Sequence, residues 1–514
     1  MNGSALRLYT VVVLPAGVLM ALEMVSSRIL APQFGTSVYV WGSIIGVYLA
    51  AMSIGYTWGG WLADRRPRLG DLGVLLAASG AAQIIVLLVG QQVTAYIGGL
   101  TQGASWGTLV VTAVLFGPPT ILLATVSPFA VRLASEDLEG LGGLAGRLYA
   151  LSTAGSLVGT LGATFVLIPS MELERILELL IVLTAVSAAI ALYGELRRRR
   201  LAASLVAVML VVALMPRGDS LGDHVVERRM TPYQTLELHD TGAVLSLYSD
   251  GALHTAMHKA TGEPTMGYIA HSPTLLLAQP EGKSALVLGM GGGSFGRIFG
   301  EGAGVEVEFV EIDPVVVEMA KEHFRFEDDD KVFVDDGRRF LARNPGRTWD
   351  YIYVDTYIGY SIPFHLSTRE FFAELKRHLA PGGVVGLNIA ARPDDPLTRS
   401  IYRTLRTVFE GVLVFETSGN LLLLACDQCS QVSRETLAER GRRWDERFDF
   451  AVSLEDLAGH LVETPPDLTD AIELTDAFAP VNHLMRFDRD PRSLTRPPSP
   501  DGDGGTPAAN ESSP

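Results

Sequence analysis

The first 215 residues contain apolar segments long enough to cross a lipid bilayer. About 20 apolar residues span the hydrocarbon core as a helix, and six segments come close to this length. A seventh, shorter segment follows them. The candidate spans are Leu8–Leu30, Val38–Leu62, Leu72–Gly90, Thr108–Val131, Leu144–Ile168, Ile176–Tyr193 and the short Leu201–Met215. The sequence therefore predicts an all-α transmembrane bundle over residues 1–216 with six or seven spans.

Arginines fall in alternate loops between these segments. They are Arg65, Arg66, Arg68, Arg132, Arg147 and Arg197 to Arg200. Cytoplasmic loops of membrane proteins carry an excess of Lys and Arg, so these loops and the N-terminus are expected in the cytoplasm. The first segment lacks a small-residue cleavage pattern and is expected to be a retained span. Whether Leu201–Met215 spans or lies in the interface decides the side of the remaining chain.

Two charged residues, Glu23 and Arg28, lie within the first apolar segment. Ionisable groups in a membrane are costly and usually face a partner or a watery cavity. They are interpreted either as a substrate or proton contact or as an ion pair that locks two helices together. Glycines that predict close helix packing are Gly55, Gly59, Gly60, Gly155, Gly159 and Gly162.

The charge of the chain changes at the end of the apolar segments, near Met215. Up to Met215 there are 12 arginines, no lysines and 10 acidic residues, whereas the rest has 29 basic and 47 acidic residues. An acidic second half without a basic stripe argues against a nucleic-acid partner. Cys426 and Cys429 are the two cysteines, which is too few for a disulfide framework or a four-cysteine zinc site. We expect them to be ordinary small residues at a strand end.

The second half is predicted to alternate between strands and helices. Gln234–Leu238 and Val244–Tyr248 flank the turn Asp240-Thr241-Gly242, which indicates a hairpin in a small β-rich segment. From Ser284 onward the pattern indicates a parallel sheet with crossover helices. The predicted strands are Ala285–Leu288, Val305–Val310, Lys331–Val334 and Tyr351–Val354, and the predicted helices lie near Phe295 and at Pro314–Phe324 and Arg338–Arg343.

Acidic residues follow successive predicted strands. The first strand leads into the glycine turn Gly289-Met290-Gly291-Gly292-Gly293, and Glu311 ends the second strand 22 residues after Gly289. This spacing is typical of a carboxylate that binds ribose hydroxyls beside a glycine turn. Asp336 and Asp355 follow the third and fourth strands, so these three carboxylates and Asp313, two positions after Glu311, are expected at one edge of the sheet. Asp313 and Asp336 can also be explained as helix N-caps.

These residues resemble the polyamine aminopropyltransferases, and in particular their membrane-fused spermidine synthase-like relatives. The motifs that carry the resemblance are Tyr233-Gln234, Asp250-Gly251, His271-Ser272-Pro273, the glycine turn, Val310-Glu311-Ile312-Asp313, Asp336-Gly337, Asp355, the run Leu474–Val481 and the region of Glu23 and Arg28. The resemblance implies a Rossmann-like α/β domain of the class I methyltransferase and spermidine synthase type. It also implies a role in polyamine biosynthesis.

The resemblance assigns a role to each site residue. Glu311 would hold the ribose, Asp336 the adenine amino group and Gln234 the nucleoside of decarboxylated S-adenosylmethionine, beside Gly289, Gly291 and Gly293. Asp355 would be catalytic, because a carboxylate can orient the attacking amine and accept its proton. Tyr233, His271, Tyr357 and His365 are candidate acceptor or lid residues, and His365 is a candidate general base. No metal is implied.

Two departures from the family pattern concern the amine pocket. Soluble spermidine synthases have Gly-Gly-Asp-Gly-Gly where this chain has Gly291-Gly292-Gly293, and they have an acidic residue where this chain has Ile358. A dicationic polyamine would lose charge complementarity worth about 1.5–3 kcal/mol per charged hydrogen bond. The nucleoside pocket is supported by the motifs, whereas the polyamine pocket is not.

Three functions remain open. The first is aminopropyl transfer to an amine. The second is transfer from S-adenosylmethionine itself to a lipid-borne acceptor, and the third is a membrane transporter or sensor with a nucleoside-binding domain that does not react. Cofactor supply favours a cytoplasmic location for the soluble part, and homodimerisation is left open. The predicted divisions are 1–216, a β-rich segment over 217–280, a nucleotide-binding domain over 281–488, and a disordered tail over 489–514.

Overall fold

The computed structural model describes most of the chain. The described residues are 3–35, 37–101, 104–135, 141–193, 200–214, 224–327, 331–357, 362–417, 419–448 and 450–485. The predicted tail, 489–514, and the end of the short apolar segment at Met215 lie outside them. The described part forms a helical bundle, a small sheet and a larger α/β unit.

Six helical segments are long and apolar enough to cross a membrane, as the sequence predicts. They are Leu6–Phe34, Val38–Arg65, Leu69–Leu100, Trp106–Ala134, Leu141–Ser170 and Leu173–Leu192. The helices that form them are α1 (Gly3–Phe34), α2 (Val38–Arg65), α3 (Leu69–Leu100), α4 (Ser105–Ala124), α5 (Val126–Ala134), α6 (Leu141–Gly162), α7 (Ile168–Ser170) and α8 (Leu173–Leu192). A π-helical turn at Ala163–Leu167 joins α6 to α7.

The short apolar segment is also helical and belongs to the bundle. Helix α9 (Arg200–Leu214) packs against α3 and α8. Its residues Val206, Met209 and Ala213 are buried in the apolar core of the bundle. Met209 lies directly over Gly80, where any larger side chain would overlap it. Two spans cover one apolar face of α9, so the helix belongs to the bundle, while Val208 and Val211 on its other side are exposed.

Glycines allow close helix contacts at four of the six predicted positions. A Cβ atom at Gly155 or Gly159 would overlap the backbone of α1, and one at Gly55 or Gly59 would overlap residues of α4 and α5. Gly60 makes an ordinary contact with Pro128. The prediction for Gly162 is wrong, because nothing lies within 4 Å of a Cβ built there. Small residues thus bring the α1 and α6 backbones together.

The predicted hairpin is part of a four-stranded antiparallel sheet in the order β1-β2-β3-β4. Its strands are β1 (Val225–Met230), β2 (Thr235–Asp240), β3 (Val244–Ser249) and β4 (Ala252–His258). Gly242 in the turn has φ +88°, a conformation that glycine adopts without steric cost. Leu236, Leu238 and Leu247 bury one face of this sheet against Val316 and Met319 of the α/β unit.

The α/β unit is built on a seven-stranded mixed sheet in the order β10-β11-β9-β8-β5-β6-β7. Its strands are β5 (Ser284–Leu288), β6 (Glu306–Glu311), β7 (Val332–Val334), β8 (Trp349–Val354), β9 (Leu379–Ile389), β10 (Gly411–Glu416) and β11 (Leu421–Cys426). Its helices are α10 (Gly267–Ala270), α11 (Thr274–Ala278), α12 (Ser294–Gly296), α13 (Pro314–His323), α14 (Gly337–Arg343), α15 (Arg369–Arg377), α16 (Pro396–Arg406), α17 (Arg434–Asp445), α18 (Leu454–Ala458) and α19 (Val481–Leu484). Strands β7, β6, β5 and β8 are parallel, as predicted, and β9 pairs parallel with β8.

Alternation along the central strands creates a core on each face of this sheet. Ala285 and Val287 of β5 face one core, while Leu286 and Leu288 face the other. The chain runs from β5 outward to β6 and β7, and then returns to the other side of β5 as β8. The point beside β5 where the strand order reverses is where open α/β sheets bind ligands.

The expectation that the two cysteines are ordinary small residues is wrong. Cys426 ends β11, and a 3₁₀ turn at Cys429–Gln431 returns the chain toward it. The two Cα atoms are 5.2 Å apart, and the two residues form a disulfide. They are therefore not the independent small residues that the sequence suggested.

One of the two interpretations of Glu23 and Arg28, an ion pair that locks two helices together, is not the contact that the structure shows for Arg28. Arg28 donates to the backbone carbonyls of Thr231 (3.2 Å) and Pro232 (2.8 Å), which belong to the soluble part. Glu23 lies five positions earlier, which places the two side chains about 140° apart around the helix. Side chains three or four positions apart would face each other, so this spacing does not favour a pair within the helix.

Candidate active site

A glycine turn follows β5 at the carboxyl edge of the sheet. Gly289 has φ +90°, and a Cβ atom there would overlap the carbonyl oxygen of Asp355. Gly291 and Gly293 also have positive φ values of 54° and 74°. Gly289 is therefore required both by its backbone conformation and by the close approach of the segment that carries Asp355.

Glu311 lies at the end of β6 beside this turn and is 5% exposed. Its two carboxylate oxygens accept hydrogen bonds from the backbone N–H of Met290 (2.9 Å) and of Asp313 (3.0 Å). Burial raises the pKa of Glu311, and the two backbone donors oppose that rise. A carboxylate accepts about four hydrogen bonds, so Glu311 keeps acceptor capacity for further donors such as ribose hydroxyls.

Gln234 lies in a buried polar cluster around Asp313. Its Nε2 donates to Asp313 Oδ2 at 3.1 Å, and its Oε1 accepts from the Ser249 hydroxyl. Asp313 also accepts from the Thr231 hydroxyl at 2.7 Å and caps α13 through the Val315 N–H. Tyr233 is 37% exposed at the edge of this cluster. The structure thus connects Gln234 to Glu311 through Asp313.

Asp336 follows β7 and caps α14, as its alternative interpretation anticipated. Its carboxylate accepts from the Arg339 N–H at 2.9 Å and lies 3.2 Å from His365 Nε2. The hydrogen bond from His365 is the largest cause of the lowered pKa of Asp336. The segment after Asp355 is therefore tied back to the end of the third parallel strand.

Asp355 follows β8 and is held by two neutral donors. Asn388 Nδ2 donates to its Oδ1 at 2.8 Å, and the Tyr268 hydroxyl also donates to its carboxylate. Burial raises the pKa of Asp355 to about 6, against the lowering effect of these two hydrogen bonds. Such a carboxylate is mainly ionised at neutral pH, yet it accepts a proton more readily than an ordinary aspartate.

Tyr357 and His271 have supporting contacts. The Tyr357 hydroxyl accepts from the Ala390 N–H at 2.7 Å and donates to the Asn388 carbonyl at 3.3 Å, so it braces the residue that holds Asp355. His271 Nδ1 lies 2.6 Å from the Gly267 carbonyl, and its ring packs on His460. Burial lowers the pKa of His271. Glu23 remains in the bundle, near Tyr48.

Three residues near the site were missed by sequence reasoning. Tyr268 and Asn388 bind Asp355 directly, and His254 of β4 has a buried Nε2 without a hydrogen-bond partner among the described residues. Burial lowers the pKa of His254 to about 4, so its imidazole is neutral. Tyr268 lies three positions before the His271-Ser272-Pro273 motif, which was the one available signal. Nothing in the sequence distinguishes Asn388 or His254.

The C-terminal motif closes one side of the site. Asp476 accepts two hydrogen bonds from Arg338, at 2.8 and 2.6 Å, and one from the Thr368 hydroxyl at 2.7 Å. Arg338 also donates to the carbonyl of His365. The run Leu474–Val481 therefore fastens the segment that follows Asp355.

A cluster of two glutamates and a histidine outside the candidate active site contains residue types that can bind a metal ion. Glu227, Glu322 and His323 place ligand atoms within 4.8 Å of one another. Arg229 already forms ion pairs with both glutamates. A cation held this closely neutralises the group, so the cluster is explained as an ion-pair network.

Comparisons with known proteins agree with this arrangement. Residues 265–409 match the spermine/spermidine synthase domain. The polyamine aminopropyltransferase of Vibrio vulnificus (strain CMCP6) is 30% identical over 232 residues, which are 42% of this chain and 75% of that protein. The polyamine aminopropyltransferase of Chromobacterium violaceum is 28% identical over 239 residues, which are 44% of this chain and 90% of that protein.

Among solved structures, a probable spermidine synthase from Corynebacterium glutamicum aligns with 50% of this chain and 96% of its own, at 20% identity and a TM-score of 0.39. The residues that match the spermine/spermidine synthase domain, 265–409, lie within the α/β unit. The extent and identity of the match to the Vibrio protein decide the assignment. This chain belongs to the polyamine aminopropyltransferase family of enzymes.

Proposed function

We propose that the protein is a membrane-bound transferase that moves an aminopropyl-type group from decarboxylated S-adenosylmethionine to an amine. The observation that carries the proposal is the glycine turn, with Glu311 on one side and Asp355 on the other. Glu311 has spare acceptor capacity for a ribose, and Asp355 has a pKa of about 6. Six apolar spans support attachment to a membrane.

The proposed chemistry needs one base and correct orientation. The amine nitrogen attacks the carbon bonded to the sulfonium, the carbon–sulfur bond breaks, and its electron pair remains on sulfur as a thioether. The amine proton passes to Asp355 Oδ, which Asn388 and Tyr268 hold in place. Holding both reactants in position lowers the barrier by avoiding the entropy cost of their encounter.

Purified full-length protein in detergent should be incubated with decarboxylated S-adenosylmethionine and a panel of amines. Methylthioadenosine should form with at least one amine, and Asp355→Asn should lower the rate by about 100-fold or more. The absence of methylthioadenosine with every amine would reject the proposal. Asp350→Asn is a matched control, because Asp350 lies in the strand that precedes Asp355 and accepts hydrogen bonds from the backbone N–H groups of Lys283 and Ser284 at its opposite end.

A second donor is favoured by the composition of the pocket. Neither Gly291–Gly293 nor the segment from Thr356 to Phe364 contains an acidic residue. A site without these carboxylates can accept S-adenosylmethionine itself, whose carboxylate they would repel. Calorimetry should compare both donors. Tighter binding of S-adenosylmethionine would favour transfer from that donor, including transfer to a lipid-borne acceptor, and the reverse order would support the first proposal.

A further inference from the structure

Arg28 extends from the bundle into the soluble part. Its guanidinium binds the carbonyls of Thr231 and Pro232, which form the turn between β1 and β2. Burial raises the pKa of the neighbouring Asp250, and the positive charge of Arg28 opposes that rise. Asp250 in turn accepts from the Thr235 N–H at 2.9 Å. One membrane helix therefore fixes this turn by direct contact and acts on the acidic group beside it.

The same turn carries a residue of the nucleoside cluster. The Thr231 hydroxyl accepts from the Gln234 N–H at 3.0 Å and donates to Asp313 at 2.7 Å. Asp313 binds the Gln234 amide, and its own N–H donates to Glu311. The path from Arg28 to Glu311 thus consists of hydrogen bonds and the short backbone of one turn.

We propose that Arg28 is a positioning residue for the nucleoside pocket, so that the membrane bundle is a working part of the enzyme. The proposal rests on the proposed function, since it assumes that the cluster of Gln234 and Glu311 binds a nucleoside. Loss of the guanidinium leaves two carbonyls without their donor and releases the turn that holds Gln234. The pocket then pays an ordering cost when the nucleoside binds.

Arg28→Met should be compared with Arg7→Met in the full-length protein. Arg7 is a matched control, because it lies on the same helix and also donates to two backbone carbonyls, those of Ile190 and Tyr193. Methylthioadenosine affinity should fall by roughly 10-fold in Arg28→Met and by less than about 2-fold in Arg7→Met. Arg28→Lys should recover part of the loss.

Hydrogen exchange separates this proposal from the proposed function. Peptides covering residues 231–240 should exchange faster in Arg28→Met than in Arg7→Met, whatever the catalytic activity. Equal exchange in the two variants, or unchanged methylthioadenosine affinity in Arg28→Met, would overturn the positioning role. Failure of the wild-type protein to bind methylthioadenosine would count against the proposed function instead.

A second inference follows from the two ends of the bundle. One end, here called the arginine end, has Arg65, Arg66, Arg68, Arg132 and Arg147 in or beside its connections. Contacts between helix ends place them together: Arg7 at the start of α1 binds Tyr193 after α8, and Asp64 near the end of α2 lies 3.6 Å from Arg132 of α5. The start of α9 follows from this end.

The soluble part docks on the opposite end, here called the docking end. Arg28 lies near the end of α1, and Gly251 lies over Pro32 of the same helix. Tyr39 at the start of α2 binds His483 at 3.3 Å, and the Leu173 N–H at the start of α8 lies 3.1 Å from Met230 Sδ. Helix α9 leaves the arginine end and rises about 22 Å, most of the roughly 30 Å of hydrocarbon, toward the docking end.

We infer that the α/β unit lies on the extracytoplasmic side of the membrane, with α9 as a seventh crossing. Arginine-rich loops stay in the cytoplasm, which places the docking end outside. The disulfide between Cys426 and Cys429 is a second, independent indication, because disulfides persist in oxidising compartments. The nucleoside donor must then reach its pocket from outside the cytoplasm, contrary to the location that cofactor supply favoured.

Cysteine labelling tests this orientation without measuring activity. In a Cys426→Ser/Cys429→Ser background, Glu306→Cys places a thiol on the exposed start of β6, and Pro67→Cys places one at the arginine end. A membrane-impermeant maleimide should label Glu306→Cys in intact cells and Pro67→Cys only after lysis. Protection of Glu306→Cys, or labelling of Pro67→Cys, in intact cells would overturn the inference.

Discussion

At the scale of single residues, Asp355 combines a partly buried carboxylate with two neutral hydrogen-bond donors. No basic side chain is among the causes of its pKa shift, so burial prevails and the pKa rises to about 6. The folded protein therefore holds the proton of Asp355 more tightly than the unfolded chain does. Ionisation of Asp355 therefore lowers the free energy of unfolding. The same raised pKa lets the carboxylate accept a proton more readily.

Asp355→Asn should stabilise the ligand-free protein at pH 8. The difference between a pKa of about 6 and the ordinary 3.8 corresponds to at most about 3 kcal/mol. The cost of ionised Asp355 is absent below pH 4, grows between pH 4 and 6, and is complete above 6. Thermal unfolding of both proteins from pH 4 to 8 measures this, and a gap that does not widen over that range would contradict it.

Glu311→Gln should weaken nucleoside binding by roughly 10- to 100-fold, because charged hydrogen bonds to the ribose become neutral. The substitution also replaces one carboxylate oxygen by an NH₂ group. This group then faces the backbone N–H of either Met290 or Asp313 and cannot accept its hydrogen bond. Glu308→Gln on the same strand is the control, since Glu308 binds Arg347 and Trp349 away from the carboxyl edge. Calorimetry with methylthioadenosine measures both, and equal losses would remove the special role of Glu311.

Residue roles were only partly predictable from the sequence. The positions of Glu311, Asp336 and Asp355 were predictable because each lies at the end of an apolar strand, and strand ends of a parallel sheet meet at one edge; their roles stay predictions. Asn388 and Tyr268 were missed because their contact with Asp355 depends on how β9 and α10 pack, which has no sequence period. Arg28 was recognised as unusual, but its partner lies about 200 residues away.

At the scale of elements, the residue type allowed at Gly289 in the glycine turn is restricted both by its backbone conformation and by the segment that packs against it. Gly289→Ala places a methyl group on the Asp355 carbonyl at φ +90°. Gly304→Ala is a matched control, since Gly304 has φ +67° and open space around it. The control should cost about 1 kcal/mol from backbone strain, and Gly289→Ala should cost several times more. Urea unfolding distinguishes them, and equal costs would contradict the steric account.

Strands and spans were predicted well where burial produces a clear pattern. Val332–Val334 and Trp349–Val354 lie close to the predicted strands, and all six long spans appear. The cysteine pair was not predictable, because it depends on the chain reversing after β11. Gly162 was misjudged because a glycine shows that close packing is tolerated, and not which neighbour, if any, approaches it.

At the scale of the whole molecule, α1 joins the bundle to the soluble part through its packing on α6 and through Arg28. Gly159→Leu should force these helices apart, because a side chain there meets the backbone of Gly17. Gly162→Leu, one turn away with free space, is the control. Only Gly159→Leu should lower the thermal stability in detergent by several degrees, together with nucleoside affinity. Similar behaviour of both variants would refute the contact.

The arrangement of the helical bundle relative to the soluble part was harder to predict from the sequence than the residues or the elements. Hydropathy separates a membrane part from an acidic part, but it does not show which end of the bundle receives the soluble unit. That depends on a few contacts, such as the one between Tyr39 and His483, whose residues are 444 positions apart. The short helix α9 could not be assigned from length alone, since its burial comes from α3 and α8.

The chain after Met215 carries a net charge of −18, and these contacts dock its described part on one end of the helical bundle. The acidic unit attracts cations to the surface on which it lies through its own field, whichever leaflet it faces. We expect the amine acceptor proposed above to reach the enzyme from a layer richer in cations than the bulk medium. Salt screens this field beyond roughly 8 Å at physiological ionic strength. A higher salt concentration would therefore lower the local concentration of a cationic acceptor and, with it, the rate of the enzyme.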